Sequence, residues 1–305
     1  MGDIYGSSAL WKHYNSTRIT EDSDLTDFKS SGINFKLALW DPGTNGVRYL
    51  KTLIHTLCDG LGEENWERLR RTPSRGEGSP ITVTYDGEEV CLDYLMAVHE
   101  LEFIAAHTPL DGASIVEIGA GYGRTCHTIL ANHDVTAYHV VDLPPSLRLA
   151  RSYLGAVLDE EQAARVHFHD VAGAEDLFRG TRFDLCLNID SFAEMDEATV
   201  RAYLALIDFS CDRFYVNNPV GKYLDPSLDG HAQGQELVSL ALSTGILREI
   251  VDIHDNRAVA ERAAAFIDAY RPSKRWSCAK DGRSIPWTYY WQALYRRDVR
   301  APRVG

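Results

Sequence analysis

Three glycines spaced one residue apart, directly after a buried-strand pattern, constrain this chain more than any other feature. The run reads Ile115-Val116-Glu117-Ile118-Gly119-Ala120-Gly121-Tyr122-Gly123-Arg124. A short β-branched stretch reaches an acidic residue, the glycines follow at i, i+2 and i+4, and a helical pattern continues over about 122–132. Without Cβ atoms, backbone at such a turn passes close to a ligand, and the following helix offers its N-terminus to it. The spacing discriminates between ligands. A dinucleotide fingerprint, G-x-G-x-x-G, has its third glycine one residue later, and here position 124 is Arg. That disfavours a nicotinamide-dependent oxidoreductase. The bland alternative is a glycine turn joining a core strand to a helix.

A second acidic residue follows. Ala137-Tyr138-His139-Val140-Val141-Asp142 reads as the next buried strand, with Asp142 at its C-terminal tip. An acid there can hold both hydroxyls of a ribose by paired hydrogen bonds. Asp142-Leu143-Pro144-Pro145 also leads into a helical pattern from Ser146 to Val157, so Asp142 suits an N-cap equally well.

From Ser114 onward strand-like and helix-like segments alternate. Strands are expected at about 114–118, 136–141, 165–169, 183–189, 212–217, 247–253 and 288–296. Helices are expected at about 122–132, 146–158, 196–207, 233–244 and 256–270. Such alternation gives an α/β fold, a mainly parallel sheet covered on both faces. Residues 1–110 form an N-terminal accessory region and residues 111–305 the main domain. The accessory region has helical periodicity over Asn45–Leu61 and Cys91–His107, and a hairpin over Ser79–Val90 with Asp86-Gly87 at its turn. Two connections, 217–234 and 271–286, are long enough to be functional loops.

Composition removes several classes. A formal charge of −13 makes nucleic acid a poor partner, because phosphate binding needs a basic surface. No apolar run approaches the roughly 18 residues of a membrane helix, and the first residues lack a signal peptide's charged start and apolar core. The six cysteines, at 58, 91, 126, 186, 211 and 278, are scattered without a C-x-x-C pair. That pattern points to reduced thiols in a cytoplasm and to no zinc site. His167 and His169 fall on one face of a strand, but no further ligand cluster lies near them in sequence, so no metal is expected.

Candidate chemistry gathers where the fourth strand of the alternating region ends, at Asn188-Ile189-Asp190-Ser191-Phe192-Ala193-Glu194-Met195. In open α/β sheets, ligands lie beyond the carboxyl ends of strands. Asp190 is the leading proton acceptor, with Glu194 one turn further on. Asp190 also suits an N-cap for a helix starting near Phe192. The first long connection carries Asn217, Asn218, Asp225, Asp229 and His231, polar groups suited to a polyhydroxylated or polyaminated ligand, or to a solvated loop. His231 is a further candidate acid–base group.

The segment Glu117-Ile118-Gly119-Ala120-Gly121-Tyr122-Gly123, in the pattern E-x-G-x-G-x-G, resembles the first motif of class I S-adenosylmethionine (SAM)-dependent methyltransferases. The stretch from Asn188 to Met195, the closing Tyr290-Trp291-Gln292-Ala293-Leu294-Tyr295, and the region from Ile33-Asn34-Phe35 to Asp93-Tyr94 are similar to actinobacterial sugar O-methyltransferases of natural-product gene clusters. Within that group the chain looks most like the branch that N-methylates an aminosugar in gentamicin-type aminoglycoside assembly. The resemblance covers most of the chain and implies a Rossmann-like seven-stranded methyltransferase sheet whose last strand inserts antiparallel. It implies SAM as cofactor, with S-adenosylhomocysteine as product. It puts Glu117 near the cofactor's amino group, Gly119, Gly121, Gly123 and Arg124 along its methionine portion, Asp142 and Leu143 at the ribose, Asp170 and Val171 at the adenine, and Asn188 beside the sulfonium. Tyr14 and Asn15, with Trp11, would cap the sugar, and Ser191, Asn217, Asn218, Asp225 and Asp229 would contact it. The expected acceptor is an aminosugar nitrogen; the alternatives are a neutral deoxysugar hydroxyl and a non-catalytic partner that keeps the fold. No nucleic acid or membrane partner is expected, and a homodimer stays open.

Overall fold

The computed structural model describes residues 6–19, 25–26, 28–29, 46–229 and 233–298. The expected contributions of Ile33-Asn34-Phe35 and of His231 lie outside the described residues. In chain order the elements are α1 (Ala9–Thr17), α2 (Val47–Asp59), α3 (Glu63–Arg71), β1 (Thr82–Tyr85), β2 (Glu88–Cys91), α4 (Leu92–Ala105), β3 (Ser114–Ile118), α5 (Arg124–Asn132), β4 (Ala137–Asp142), α6 (Pro144–Val157), α7 (Glu160–Ala164), β5 (Val166–Asp170), α8 (Ala174–Gly180), β6 (Phe183–Ile189), α9 (Glu197–Ser210), β7 (Cys211–Pro219), α10 (Pro226–Asp229), α11 (Gln235–Ser243), α12 (Asn256–Glu261), α13 (Ala263–Tyr270), β8 (Trp276–Arg283) and β9 (Tyr290–Arg297).

The main sheet has seven strands in the order β5-β4-β3-β6-β7-β9-β8. β4–β5, β3–β6 and β6–β7 pair parallel, whereas β9 runs antiparallel to both β7 and β8. This is the expected α/β class, a Rossmann-like, mostly parallel sheet.

Packing divides the chain into two compact units, each discontinuous in sequence. One comprises Met1–Trp11, Ser114–Ile118 and Val171–Gly305, and the other Lys12–Ala113 and Gly119–Asp170. In the first unit β6 has six of its seven residues buried, the pattern of a strand covered on both faces. Its register with β7 puts Asn188 beside Val216 and Ile189 beside Asn217. In the second unit β4 and β5 run side by side, with Asp142 opposite Asp170 at their C-terminal ends. The β1–β2 hairpin turns at Asp86 and Gly87, both at positive φ (48° and 85°), as a two-residue turn of matched twist requires. α6 opens on Pro144 and Pro145, where a missing N–H leaves no helical bond unmade.

Three expected features differ. Residues 247–253 are not a strand. Their backbone makes one isolated bridge, Ile250 with Lys222, although Val251 and Ile253 are buried. Only the short stretch at Lys222 is there to pair with, and the outer places of the sheet go to β9 and β8. The missing seventh strand is β8, read from sequence as part of a long connection. Its residues, Trp-Ser-Cys-Ala-Lys-Asp-Gly-Arg, are mostly polar because it is an edge strand, where charge discourages further pairing. The expected helix over 256–270 is two helices joined at Arg262.

All six cysteines are free thiols. Among the described residues no helix is long and apolar enough to cross a membrane, and no group of three or more His, Cys, Asp or Glu side chains is arranged to hold a metal ion. His139, His167 and His169 cluster on β4 and β5, but His139 and His169 hydrogen-bond each other through ring nitrogens 3.0 Å apart.

Candidate active site

In the second unit, the chain leaving β3 turns through Gly119, Gly121 and Gly123, whose φ angles are 73°, 61° and 97°. All three occupy the region L side chains rarely adopt, so the alternating glycines are a conformational requirement. At Gly123 there is also no room: a Cβ would lie 2.8 Å from Leu154 Cδ1. The Gly121 N–H donates to Asp142 Oδ2 at 2.8 Å, and the Leu143 N–H donates to Asp142 Oδ1 at 2.7 Å. The N-cap of α6 is Leu143, and Asp142 precedes it. Burial raises the Asp142 pKa to about 6, against the pull of those two N–H donors and of the Ser146 side chain. A carboxylate has about four acceptor positions, so these contacts do not saturate Asp142.

Beneath the loop lies a buried polar network that sequence reasoning missed. The Tyr122 hydroxyl donates to Asp93 Oδ2 at 2.6 Å. The Arg124 guanidinium, expected along the cofactor, is directed to α4: it donates to the Asp93 carbonyl and to Glu100 Oε1, each at 3.1 Å, in an ion pair with both side chains buried. Lys29 donates to the Tyr153 hydroxyl at 2.8 Å and sits 5.0 Å from the centroids of Tyr94 and Tyr122. Tyr94 hydrogen-bonds both Tyr153 and His127 Nδ1, and burial pushes the His127 pKa down to about 3, keeping it neutral. These partners are far apart in sequence, and polar residues on α4 and α5 read there as ordinary amphipathic faces.

In the first unit, Asn188 ends the buried run of β6. Its amide is fully engaged: Nδ2 donates to the Ile118 carbonyl at 3.1 Å and to Ser191 Oγ at 2.6 Å, while Oδ1 accepts from Asn218 Nδ2 at 2.8 Å. Ser191 in turn donates to the Ile118 carbonyl, and Asn218 accepts the Ala193 N–H. Asn188, Ser191 and Asn218, expected at cofactor and substrate, thus brace the turn after β6. Asn217 donates to Ser284 Oγ at 2.9 Å.

That braced turn presents Asp190. Its backbone has φ 64° and ψ −36°, and its side chain makes no capping bond to the 3₁₀ turn that follows. α9 is preceded by Asp196 instead. The buried Asp190 carboxylate accepts a hydrogen bond from the Tyr290 hydroxyl at the start of β9. Sequence reasoning did not anticipate the contact of Tyr290 with Asp190; the sequence signal was the aromatic richness of the last strand. Its ring adjoins Tyr289, centroids 5.0 Å apart, and Tyr289 adjoins Tyr223 at 4.5 Å. Glu194, on the same turn as Asp190, is buried, and its carbonyl accepts the Ser8 hydroxyl.

Other expected residues are more dispersed. Glu117 is buried in β3, opposite Leu187 of β6. Asp170 is exposed at the end of β5 and Val171 is buried. Asp225 accepts from both the N–H and the hydroxyl of Ser227, so it shapes its own turn. Asp229 closes α10. Trp11 and Tyr14 are buried in α1, and Asn15 carries a buried Oδ1 with no hydrogen-bond partner.

No family model matches the chain, and no curated protein matches it. Solved structures do. The mitomycin 7-O-methyltransferase MmcR is similar with a TM-score of 0.43 and 16% identity, over 68% of this chain and 55% of that one. The pyocyanin biosynthetic protein PhzM is similar with a TM-score of 0.45 and 16% identity, over 80% and 66%. The methyltransferase domain of bacterial CtHen1-CN is similar with a TM-score of 0.44 and 14% identity, over 61% and 91%. The chain therefore spans less than two thirds of the length of the first two.

Proposed function

We propose that this protein is a SAM-dependent methyltransferase whose acceptor is an amine of an aminosugar. The observation that carries the reading is the loop after β3: three alternating glycines, all at positive φ, with the middle one tied to an acid at the end of β4. A glycine cradle and a ribose-competent carboxylate in one unit suit an adenosyl ligand, and the one-residue-shorter spacing argues against a dinucleotide.

When bound, SAM supplies an electrophilic methyl group on a positively charged sulfur. The chain's own contribution is binding, orientation and proton acceptance. Asp142 would take the ribose hydroxyls on the acceptor positions left after clamping Gly121 and Leu143. Glu117 would meet the amino group of the methionine portion. Asp190 would accept the proton released as the acceptor is methylated.

An amine acceptor is supported by the surroundings of Asp190. A buried carboxylate, a second acid at Glu194, and the rings of Tyr290, Tyr289 and Tyr223 are the groups that attract a cationic amine. The overall charge of −13 acts in the same direction. A neutral deoxysugar hydroxyl is the alternative acceptor, since the same base serves it.

A methyl-transfer screen with SAM against aminoglycosides and neutral deoxysugar glycosides, read by mass spectrometry, tests the reading. Calorimetry with SAM and with NADH tests the cofactor independently. Methylation of neutral glycosides alone, or an aminoglycoside Michaelis constant indifferent to salt, would replace the amine by a hydroxyl, because exposed charge pairs are screened over roughly 10 Å at 0.1 M salt.

A further inference from the structure

Asp190 stands on backbone that few residues adopt. Its φ of 64° and ψ of −36° lie towards the strained γ-turn region, which non-glycine residues occupy only where the surrounding structure holds them there. The turn is held in place nonetheless. The Asp190 N–H donates to the Asn217 carbonyl at 2.7 Å, the Ala193 N–H donates to the Asp190 carbonyl at 3.1 Å, and the Asn188 amide holds the next residue, Ser191, while also bonding the Ile118 carbonyl. The carboxylate is therefore aimed by the backbone. It meets Tyr290, itself fixed by pairing with Pro219 and by near-complete burial.

We propose that Tyr290 is a positioning residue for the methyl transfer inferred above, its hydroxyl holding Asp190 as the anionic, correctly oriented proton acceptor. This rests on the functional reading of the preceding subsection. As the acceptor nitrogen bonds to the methyl carbon, the carbon–sulfur bond breaks and its electron pair stays on sulfur. The N–H proton of the methylated amine passes to the Asp190 carboxylate. Tyr290 keeps its own proton throughout, since burial and then the charge of Asp190 raise its pKa well above the usual phenol value.

A neutral donor suits this task better than a cation. An arginine or lysine against Asp190 would favour the carboxylate so strongly that it became a poor base. A phenol orients one oxygen and favours the anion by a smaller margin, so the carboxylate keeps more of its basicity. Tyr270 of α13 is likewise kept protonated, its pKa raised by burial and then by the charge of Asp190. Glu194 follows on the same turn, and Tyr289 and Tyr223 adjoin Tyr290.

The test is Tyr290→Phe, with Asp190→Asn as reference. In protein without ligand, carbon-13 NMR of labelled aspartate carboxyls identifies the Asp190 resonance as the one missing from Asp190→Asn. Tyr290→Phe is expected to shift its titration upward by about one pH unit, the loss of one hydrogen bond to the charged form. The acid limb of the turnover profile should move by the same amount, while SAM affinity stays unchanged. An Asp190 resonance that titrates identically in both proteins would overturn the proposal. Should Tyr290→Phe not fold, a difluorotyrosine placed at 290, a stronger donor, should shift the titration downward; no shift there also overturns it. A wild type that transfers no methyl group to any amine or hydroxyl would refute the functional reading, whereas the NMR titration judges the Tyr290–Asp190 pair by itself.

Discussion

The backbone N–H of Gly121 reaches the carboxylate of Asp142 at 2.8 Å, so the glycine loop and the acid at the tip of β4 are one construction. Removing the side chain takes away a ligand group and frees the loop together. Asp142→Ala is expected to weaken SAM binding by on the order of a hundredfold, since two hydrogen bonds to a charged acceptor are each worth about 1.5–3 kcal/mol. Calorimetry on the variant, with circular dichroism to verify folding, measures it. Unchanged affinity in a folded variant would remove Asp142 from the cofactor site.

The same carboxylate has a pH signature. Its folded pKa, raised to about 6 mainly by burial, exceeds the ordinary 3.8, so the folded state binds its proton more tightly than the unfolded state does. Its stabilising contribution is present below pH 4 and is lost as pH rises through 6, by at most about 3 kcal/mol. His127 acts oppositely. Buried neutral, with its pKa lowered to about 3 by burial, it contributes stability above pH 6.5 that is lost on acidification, and His139, lowered to about 4, does the same. Asp142→Asn removes the one opposing contribution. Its melting temperature relative to wild type should therefore be higher at pH 8 than at pH 5, as thermal scans across that range would reveal. A difference constant with pH would refute the burial argument.

Arg124 and Glu100 form an ion pair with both side chains almost fully buried. Arg124→Met should cost about 3–5 kcal/mol of stability, because it strands a buried charge. Adding Glu100→Met should restore part of that loss, in a double-mutant cycle followed by urea unfolding. Full additivity of the two would mean that the pair is not coupled.

Asp190→Asn retains size and tolerates the same backbone but cannot take a proton. Turnover should fall by about a hundredfold, the usual range for loss of a general base, with SAM affinity near normal. Initial rates and calorimetry on one preparation distinguish the two effects. Retained turnover would pass the role to Glu194.

The parts of the fold written in local sequence were legible. Asp86-Gly87 marks its hairpin because only positive-φ residues fit that turn, and the glycines after Ile118 mark theirs for the same reason. β8 was not legible, since its edge sequence carries no alternation, and the Ile- and Val-bearing segment 247–253 reads as a strand in its place. The candidate residues divide along the same line. Asp142 and Asp190 stand out in sequence because they come where strands end. Nothing local reveals that Arg124 turns to Glu100, or that Asn188 is saturated by Ile118, Ser191 and Asn218, because those partners are set by packing. Tyr290 lies a hundred residues from Asp190, and no short-range pattern can report such a pairing.

The positive φ at Asp190 limits what this protein can become. Besides glycine, aspartate and asparagine tolerate such backbone best. Few side chains accept positive φ without strain, and among glycine, asparagine and aspartate only aspartate carries a carboxylate. A longer acid such as glutamate would have to distort the turn before it could reach anything. On the function proposed above, drift at this position leads to silence and not to a new chemistry, so a lineage or a designer seeking a different acceptor would rebuild the tyrosines around Asp190 and leave the residue itself alone.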